Sequence, residues 1–208
     1  MAVKIGIKHW CIIRNGLIVK DGESVMPLSG EKGTALLAAA YRHLRTSYPK
    51  FFKMDALSKA GLIASEILLG DEKYRFSPRE DRAVVLFSSS GCEADDIHYR
   101  ETITDTNYFP SPALFVYTLP NVVTGEIAIR NLIRGESSAY VLKAFDADEI
   151  VRVTKESFMD PLTKTMIAGW IDCPDDENVD ALVFFLEKEG DGEEFTPDAI
   201  NGILTNYR

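Results

Sequence analysis

Histidine and cysteine, the residues most often used in catalysis and metal binding, are scarce in this sequence. The 208 residues include three histidines, none of them after His98, and three cysteines spaced roughly eighty residues apart. This spacing gives neither a zinc-ligand pattern nor a disulfide framework, which is typical of a reducing compartment. We therefore expect no metal and no cofactor, and histidine chemistry is excluded from the second half of the chain.

Long apolar runs are missing as well. No run approaches the roughly 18 residues of a membrane-spanning helix, and the N-terminus lacks an apolar stretch of signal-peptide length. We therefore expect a cytoplasmic protein with no membrane partner.

Hydrophobic residues make up 46% of the chain, which is enough for one core, and no linker or repeat interrupts it. These features predict a single domain over residues 1–208.

Charge is unevenly distributed along the chain. Residues 1–60 hold ten Lys or Arg against four acids, whereas residues 61–208 hold thirteen against twenty-eight, and the net charge is −9. The overall acidity disfavours nucleic acid as a partner, because phosphate binding scales with the positive charges brought near it. The basic first segment is either a docking face or an ordinary solvated helix surface.

The spacing of apolar residues predicts strands that alternate with helices. Asn15-Gly16 between two short apolar runs predicts a β-hairpin, and helical spacing predicts amphipathic helices at 34–45 and 54–69. Further strands are predicted at 84–87, 140–142, 165–168 and 181–186. Three more helices are predicted to be capped by Thr118, Asp146 and Thr196, and the first of them is predicted to end at Gly135. This order predicts an α/β fold with helices layered on one sheet.

The turn Ser88-Ser89-Ser90-Gly91-Cys92 follows a predicted buried strand, and its small residues leave room above the strand end. It lacks the glycine and the later histidine that a hydrolase nucleophile elbow requires. Cys92 and His98 remain a conceivable thiolate pair, although an incidental cysteine is the more common case. The acidic residues after Cys92 are more typical of a helix start than of a metal site.

Three stretches taken together resemble the N-terminal half of β-ketoacyl synthases (3-oxoacyl-ACP synthases). They are residues 48–59, the turn at 88–95, and residues 109–130, which contain Leu119-Pro120-Asn121. The resemblance covers residues 34–135 well and residues 136–190 loosely. It implies a thiolase-like layering of sheet and helices in a single half-length domain. In that family the Leu-Pro-Asn stretch opens a helix at the dimer interface.

The resemblance also implies a Cys-His-His catalytic set, which this chain does not match. The position of the family's cysteine falls at Ala144 or Phe145, and neither side chain can form an acyl thioester. The family's two histidines come from a C-terminal half that the chain lacks. The segment from Asp146 to Phe158 is also more charged than the helix that the family buries between two sheets. We therefore expect no catalytic residues of the family type.

Three functions remain open. The first is a noncatalytic partner or accessory subunit in fatty-acid, polyketide or aryl-polyene type biosynthesis, as a homodimer or as a heterodimer with a full-length ketosynthase. The second is an acyl-transfer or condensing enzyme with a rebuilt site near Cys92 and His98, and the third is a structural or regulatory dimer. The candidate pocket or interface residues are Ser90, Cys92, Thr118 and Asn121. An acidic acyl carrier protein would dock on the basic residues Arg42, Arg45, Lys50, Lys53 and Lys59.

Overall fold

The computed structural model describes residues 3–28, 30–105 and 109–207, and its centre is one mixed β-sheet. Within these residues the strands are β1 (Ile5–Arg14), β2 (Leu17–Lys20), β3 (Glu23–Ser24), β4 (Arg82–Ser88), β5 (Ser137–Val141), β6 (Thr165–Asp172), β7 (Asp180–Lys188) and β8 (Glu193–Glu194). Their order is β3-β2-β1-β7-β6-β4-β5, and β8 pairs with β1.

Five strands of the sheet, β1, β3, β4, β5 and β6, run in the same direction. β4 is parallel to both β5 and β6, while β7 is antiparallel to both β6 and β1. The carboxyl ends of β1, β4, β5 and β6 therefore meet at one edge of the sheet, the edge at which open α/β sheets usually form their sites.

Helices cover both faces of the sheet, so the predicted α/β layering is confirmed. They are α1 (Gly33–His43), α2 (Ala56–Leu68), α3 (Glu93–Glu101), α4 (Pro112–Phe115), α5 (Val122–Asn131), α6 (Ala147–Ser157) and α7 (Pro197–Thr205). Two short 3-10 turns cover Pro49–Lys53 and Val116–Thr118. The apolar residues of α1, α2 and α5 form one core, and those of α6 and α7 form a second core on the opposite face.

The first core is built around α2. Every residue of this helix except Lys59 is buried, because α1 and α5 pack beside it. Gly61 makes the close approach of α5 possible, since a Cβ atom at this position would overlap the Val123 side chain. A helix that is buried on all sides in this way is a core helix rather than a surface helix.

The second core is built on one side of α6. Ile150, Val151 and Val153 are buried against the sheet, whereas Arg152 on the outer side pairs with Glu149 and Glu156. The side chain of Asp146 accepts a hydrogen bond from the Glu149 amide and caps the helix, as predicted.

Most predicted elements are confirmed, and the turn chemistry explains why. Asn15 and Gly16 both have positive φ, 53° and 79°, as a tight hairpin turn requires. Thr196 caps α7 through its hydrogen bond with the Ala199 amide. The prediction that β5 spans 140–142 is shifted, because the strand covers Ser137–Val141.

The prediction that Thr118 caps α5 is wrong. Thr118 ends a 3-10 turn, and its hydroxyl donates to the carbonyl of Phe115 at 2.8 Å. α5 begins after Asn121, whose side chain forms no capping hydrogen bond. The helix also ends earlier than predicted, because Leu132 adopts a left-handed conformation with φ of 52° and closes it directly after Asn131.

No single helix in the described part of the chain is long and apolar enough to cross a membrane. The segments Pro112–Thr118 and Val122–Asn131 together have the necessary length and composition, but a bend of 97° separates them.

Candidate functional site

The serine turn after β4 binds a carboxylate of the chain itself. Both oxygens of Asp172, at the end of β6, accept hydrogen bonds from Ser88, Ser89 and Ser90 at 2.7 to 2.9 Å. Two of these donors are the backbone amides of Ser89 and Ser90. Burial raises the pKa of Asp172, but the hydrogen bonds outweigh burial and hold it below its usual range. Asp172 therefore fills the anion-binding turn that the serines form.

Among the predicted site residues, Ser90 is a hydrogen-bond donor to Asp172. Its hydroxyl donates to Asp172 at 2.9 Å, so the hydrogen bond goes to a carboxylate rather than to a histidine base. Sequence reasoning missed Asp172 because 82 residues separate it from Ser90. The available signal was an acid at the end of one strand and a serine turn at the end of another.

Cys92 lies at the start of α3 and is held as a neutral thiol. Its sulfur donates to the carbonyl of Thr118 at 3.0 Å and faces Asp96 at 3.7 Å. Burial and then the negative charge of Asp96 raise the pKa of Cys92 to about 11. His98 is exposed on the same helix, and no hydrogen bond joins it to Cys92 within the described residues.

The position predicted for the family's nucleophile, at Ala144 or Phe145, lies just before α6. Ala144 is exposed, and Phe145 is half-buried with its ring 5.5 Å from that of Trp170. Asp146 caps the helix, and Asp148 and Glu149 add negative charge to its first turn. A helix start stabilises an anion through its free amides and positive dipole. Here the carboxylates of the chain already occupy that position.

Exposed apolar side chains lie on β5 and in the segment before α5. Among the described strands, β5 is an edge strand that pairs only with β4. We call this group the β5 surface, and it consists of Phe115, Val116, Leu119, Tyr140 and Val141, which are 36 to 56% exposed. Gly91 lies near both parts of this surface, since a Cβ atom added to Gly91 would be 3.4 Å from Val141 and 3.7 Å from Pro120, which follows Leu119. The predicted interface residues Thr118 and Asn121 lie in the same segment, half-buried and exposed respectively.

The predicted carrier-docking residues do not form a uniform surface. Arg42, Arg45 and Lys53 are exposed, and Lys59 is half-buried. Lys50 forms an ion pair at 2.6 Å with Glu126, whose side chain is only 4% exposed. Phe52, which precedes Lys53 in the sequence, is 59% exposed, and its ring lies 5.1 Å from that of Tyr41 on α1.

Metal-binding geometry is absent from the described residues, in which no group of three or more His, Cys, Asp or Glu side chains is placed to hold an ion.

Comparison with known proteins gives structural matches without sequence matches. No family model and no curated protein matches the chain. The structure of the ishigamide ketosynthase/chain length factor matches with a TM-score of 0.64 and 15% identity, covering 92% of this chain and 64% of that one. A ketosynthase (ApeO) in complex with its chain length factor (ApeC) from Xenorhabdus doucetiae matches with a TM-score of 0.58 and 13% identity, covering 89% and 79%.

A third match is a type II polyketide acyl-carrier protein in complex with its ketosynthase (AntDE:AntF), with a TM-score of 0.60 and 11% identity. That match covers 89% of this chain and 62% of the other. The predicted thiolase-like layering of sheet and helices is therefore confirmed. The chain has the ketosynthase fold at partial length, spanning 64% of the ishigamide protein that it matches.

Proposed function

We propose that the chain is a noncatalytic ketosynthase-like subunit that assembles with an active ketosynthase in polyketide or fatty-acid type biosynthesis. The start of α6 carries this proposal. Ala144 and Phe145 have no group that ionises or attacks, and Asp146 occupies the helix start where an acyl-enzyme would need a thiolate. Two of the matched structures contain a ketosynthase together with a chain length factor, which supports an accessory role.

Covalent labelling by acyl thioesters distinguishes this proposal from the alternative that the chain is an enzyme with a rebuilt site. The protein is incubated with a panel of acyl-CoA and acyl-carrier thioesters, and its intact mass is measured. We expect no covalent acyl adduct, because the Cys92 thiol is neutral and hydrogen-bonded to a carbonyl. An adduct that disappears in the Cys92→Ser variant would overturn the proposal in favour of the enzyme.

The β5 surface is the proposed contact with the ketosynthase. An open strand edge flanked by exposed apolar side chains favours pairing with another chain, and left uncovered it promotes aggregation. Backbone hydrogen bonds along β5 would continue the sheet into the partner, while Leu119 and Val141 would be buried against it.

Co-expression with the ketosynthases of the source organism tests this contact. Light scattering after size-exclusion chromatography would show a stable heterodimer, and the Leu119→Lys/Val141→Lys variant would elute alone. Leu162→Lys is the matched control, because Leu162 is 67% exposed but follows α6 on another part of the surface. If the double variant binds the ketosynthase as well as the wild type does, the β5 surface is not the contact. If the chain forms only a homodimer or stays alone, the heterodimer proposal fails.

Carrier docking is a second candidate function, supported by the exposed cations beside Phe52. We infer that an acidic carrier protein would contact Arg42, Arg45 and Lys53, while Lys50 is committed to Glu126. The Arg45→Glu/Lys53→Glu variant should lose carrier binding at low salt, and moderate salt should weaken wild-type binding. Lys4→Glu, an exposed cation at the start of β1, is the control. Unchanged affinity of the double variant would rule this role out.

A further inference from the structure

A cavity of about 670 Å³ lies at the carboxyl edge of the sheet, next to Asp172. Its walls come from three segments, which are the hairpin between β1 and β2, the start of α1, and the loop between β6 and β7. This volume falls within the range of cavities that hold small molecules. Open α/β sheets usually bind their ligands outside the carboxyl ends of the strands. Both the size and the position of the cavity therefore favour ligand binding.

Backbone contacts hold the three walls of this cavity against one another. The Thr34 amide at the start of α1 donates to the carbonyl of Asp176 at 2.8 Å. Gly33 has a left-handed φ of 51°, and a Cβ atom there would overlap the same carbonyl oxygen. A Cβ atom at Gly16 in the hairpin would come within 3.3 Å of the carbonyl oxygen of Glu31. These contacts do not require a ligand, so the cavity is already formed in the free protein.

A row of charged side chains lines one wall of the cavity. Arg14, Asp180 and Asp172 lie directly opposite one another on β1, β7 and β6. Arg14 donates to both oxygens of Asp180 at 2.7 and 2.9 Å, and the serine turn donates to Asp172. These donors offset the repulsion between two acids on neighbouring strands. A carboxylate has about four acceptor sites, of which Arg14 uses two on Asp180, so Asp180 can still accept from an ammonium group.

Lys32 and Glu177 add one charge of each sign to the cavity wall. Both residues are exposed, and neither forms an ion pair with another residue in the described part of the chain. They differ in this respect from Arg14 and Asp180, which bind each other. A ligand with charge of a single sign would lie beside a like charge in this cavity. A ligand with charges of both signs can pair with both.

We propose that the cavity binds a small zwitterion with separated ends, such as an ω-amino acid or a dipeptide. Its carboxylate would lie on Lys32, and its ammonium group on Glu177 and Asp180. The ends must be several bonds apart, because Lys32 precedes α1 whereas Asp180 begins β7. Leu36 and Val179 provide an apolar surface for the chain between the two ends. This inference does not depend on the proposed function.

Titration of nitrogen-15-labelled protein, followed by NMR of the backbone amides, tests the proposal. The probe is ε-aminocaproate, and caproate and hexylamine are singly charged controls of equal chain length. We expect the amides of Gly16, Gly33 and Asn178 to shift, and the amides of α7 to stay unchanged. The zwitterion should bind at least about fivefold more tightly than either control, because each control lacks one charge pair.

Two variants assign the ends of the ligand. Lys32→Ala removes an exposed side chain, so it should keep the fold, weaken ε-aminocaproate binding about fivefold and leave hexylamine binding unchanged. Glu177→Gln should weaken the binding of both amines. Lys4→Ala, which changes an exposed lysine just before β1 at the opposite edge of the sheet, is the control and should bind like the wild type.

Three results would overturn the proposal. The first is that ε-aminocaproate shifts none of the cavity amides. The second is that caproate or hexylamine binds as tightly as the zwitterion. The third is that Lys32→Ala binds ε-aminocaproate with unchanged affinity.

Discussion

α2 and α6 pack on opposite faces of the same sheet, and they differ in what covers their outer sides. Twelve of the thirteen residues of α2 are buried, against five of the eleven of α6. α1 and α5 flank α2, whereas the outer side of α6 carries Arg152 between two glutamates. Resemblance to ketosynthases implies a helix enclosed between two sheets at this position. The charge pattern shows that α6 in this chain is suited to an outermost, solvent-facing layer.

The largest effect should come from Arg82, on the α2 side of the sheet. Its side chain is fully buried, donates to both oxygens of Glu72 and lies over the ring of Phe185. Arg82→Leu removes both hydrogen bonds to the Glu72 carboxylate and leaves it only Arg79 at 3.8 Å, so we expect a loss of about 3 to 5 kcal/mol in the free energy of unfolding. Urea denaturation measures this loss.

Arg79→Leu is the matched control for that experiment. Arg79 is also an arginine paired with carboxylates, but it is only half-buried, and its main partner is the half-buried neighbour Asp81 at 2.8 Å, while it reaches Glu72 only at 3.8 Å. We expect its loss to stay below about 1 kcal/mol. Equal losses in the two variants would show that burial does not distinguish these ion pairs.

Gly61 should give the second largest effect. Gly61→Ala places a methyl group where the Val123 side chain lies, so α5 must move away from α2. We expect a loss of about 1 to 3 kcal/mol in spite of the better helix propensity of alanine. Gly125→Ala on α5 is the control, because open space surrounds that position. A stabilised Gly61→Ala protein would mean that the two helices are not packed as closely as described.

Local chemistry allowed much of this fold to be predicted from the sequence. The Asn15-Gly16 hairpin and the caps at Asp146 and Thr196 depend on neighbouring residues, so they can be read directly. The prediction that Thr118 caps α5 was wrong because its hydroxyl donates to Phe115 within a 3-10 turn that precedes the helix. The contact of Asp172 with the serine turn could not be predicted, since contacts between distant residues depend on the strand order of the sheet.

Asp172, at the end of β6, should give the third largest loss of stability. Asp172→Asn removes the charge that the serine turn binds, and we expect a loss of about 1 to 2 kcal/mol at pH 7. The folded protein holds the pKa of Asp172 low, so its stabilisation is present above about pH 4 and is lost as the pH falls below it. The wild type should therefore lose more stability than the variant between pH 7 and pH 3. Parallel pH profiles in urea denaturation would contradict this.

The smallest effect should come from Arg152 on the outer side of α6. Its side chain is 54% exposed, and its two glutamate partners are helix neighbours in solvent. Exposed ion pairs of this kind contribute little to folding because water screens them. Arg152→Ala should therefore leave the urea midpoint of the isolated protein unchanged within error, whereas Ile150→Ala on the buried side of the same helix should lower it clearly. A large shift for Arg152→Ala would mean that these exposed ion pairs stabilise the fold, and the contrast between the outer side of α6 and the buried α2 would then fail.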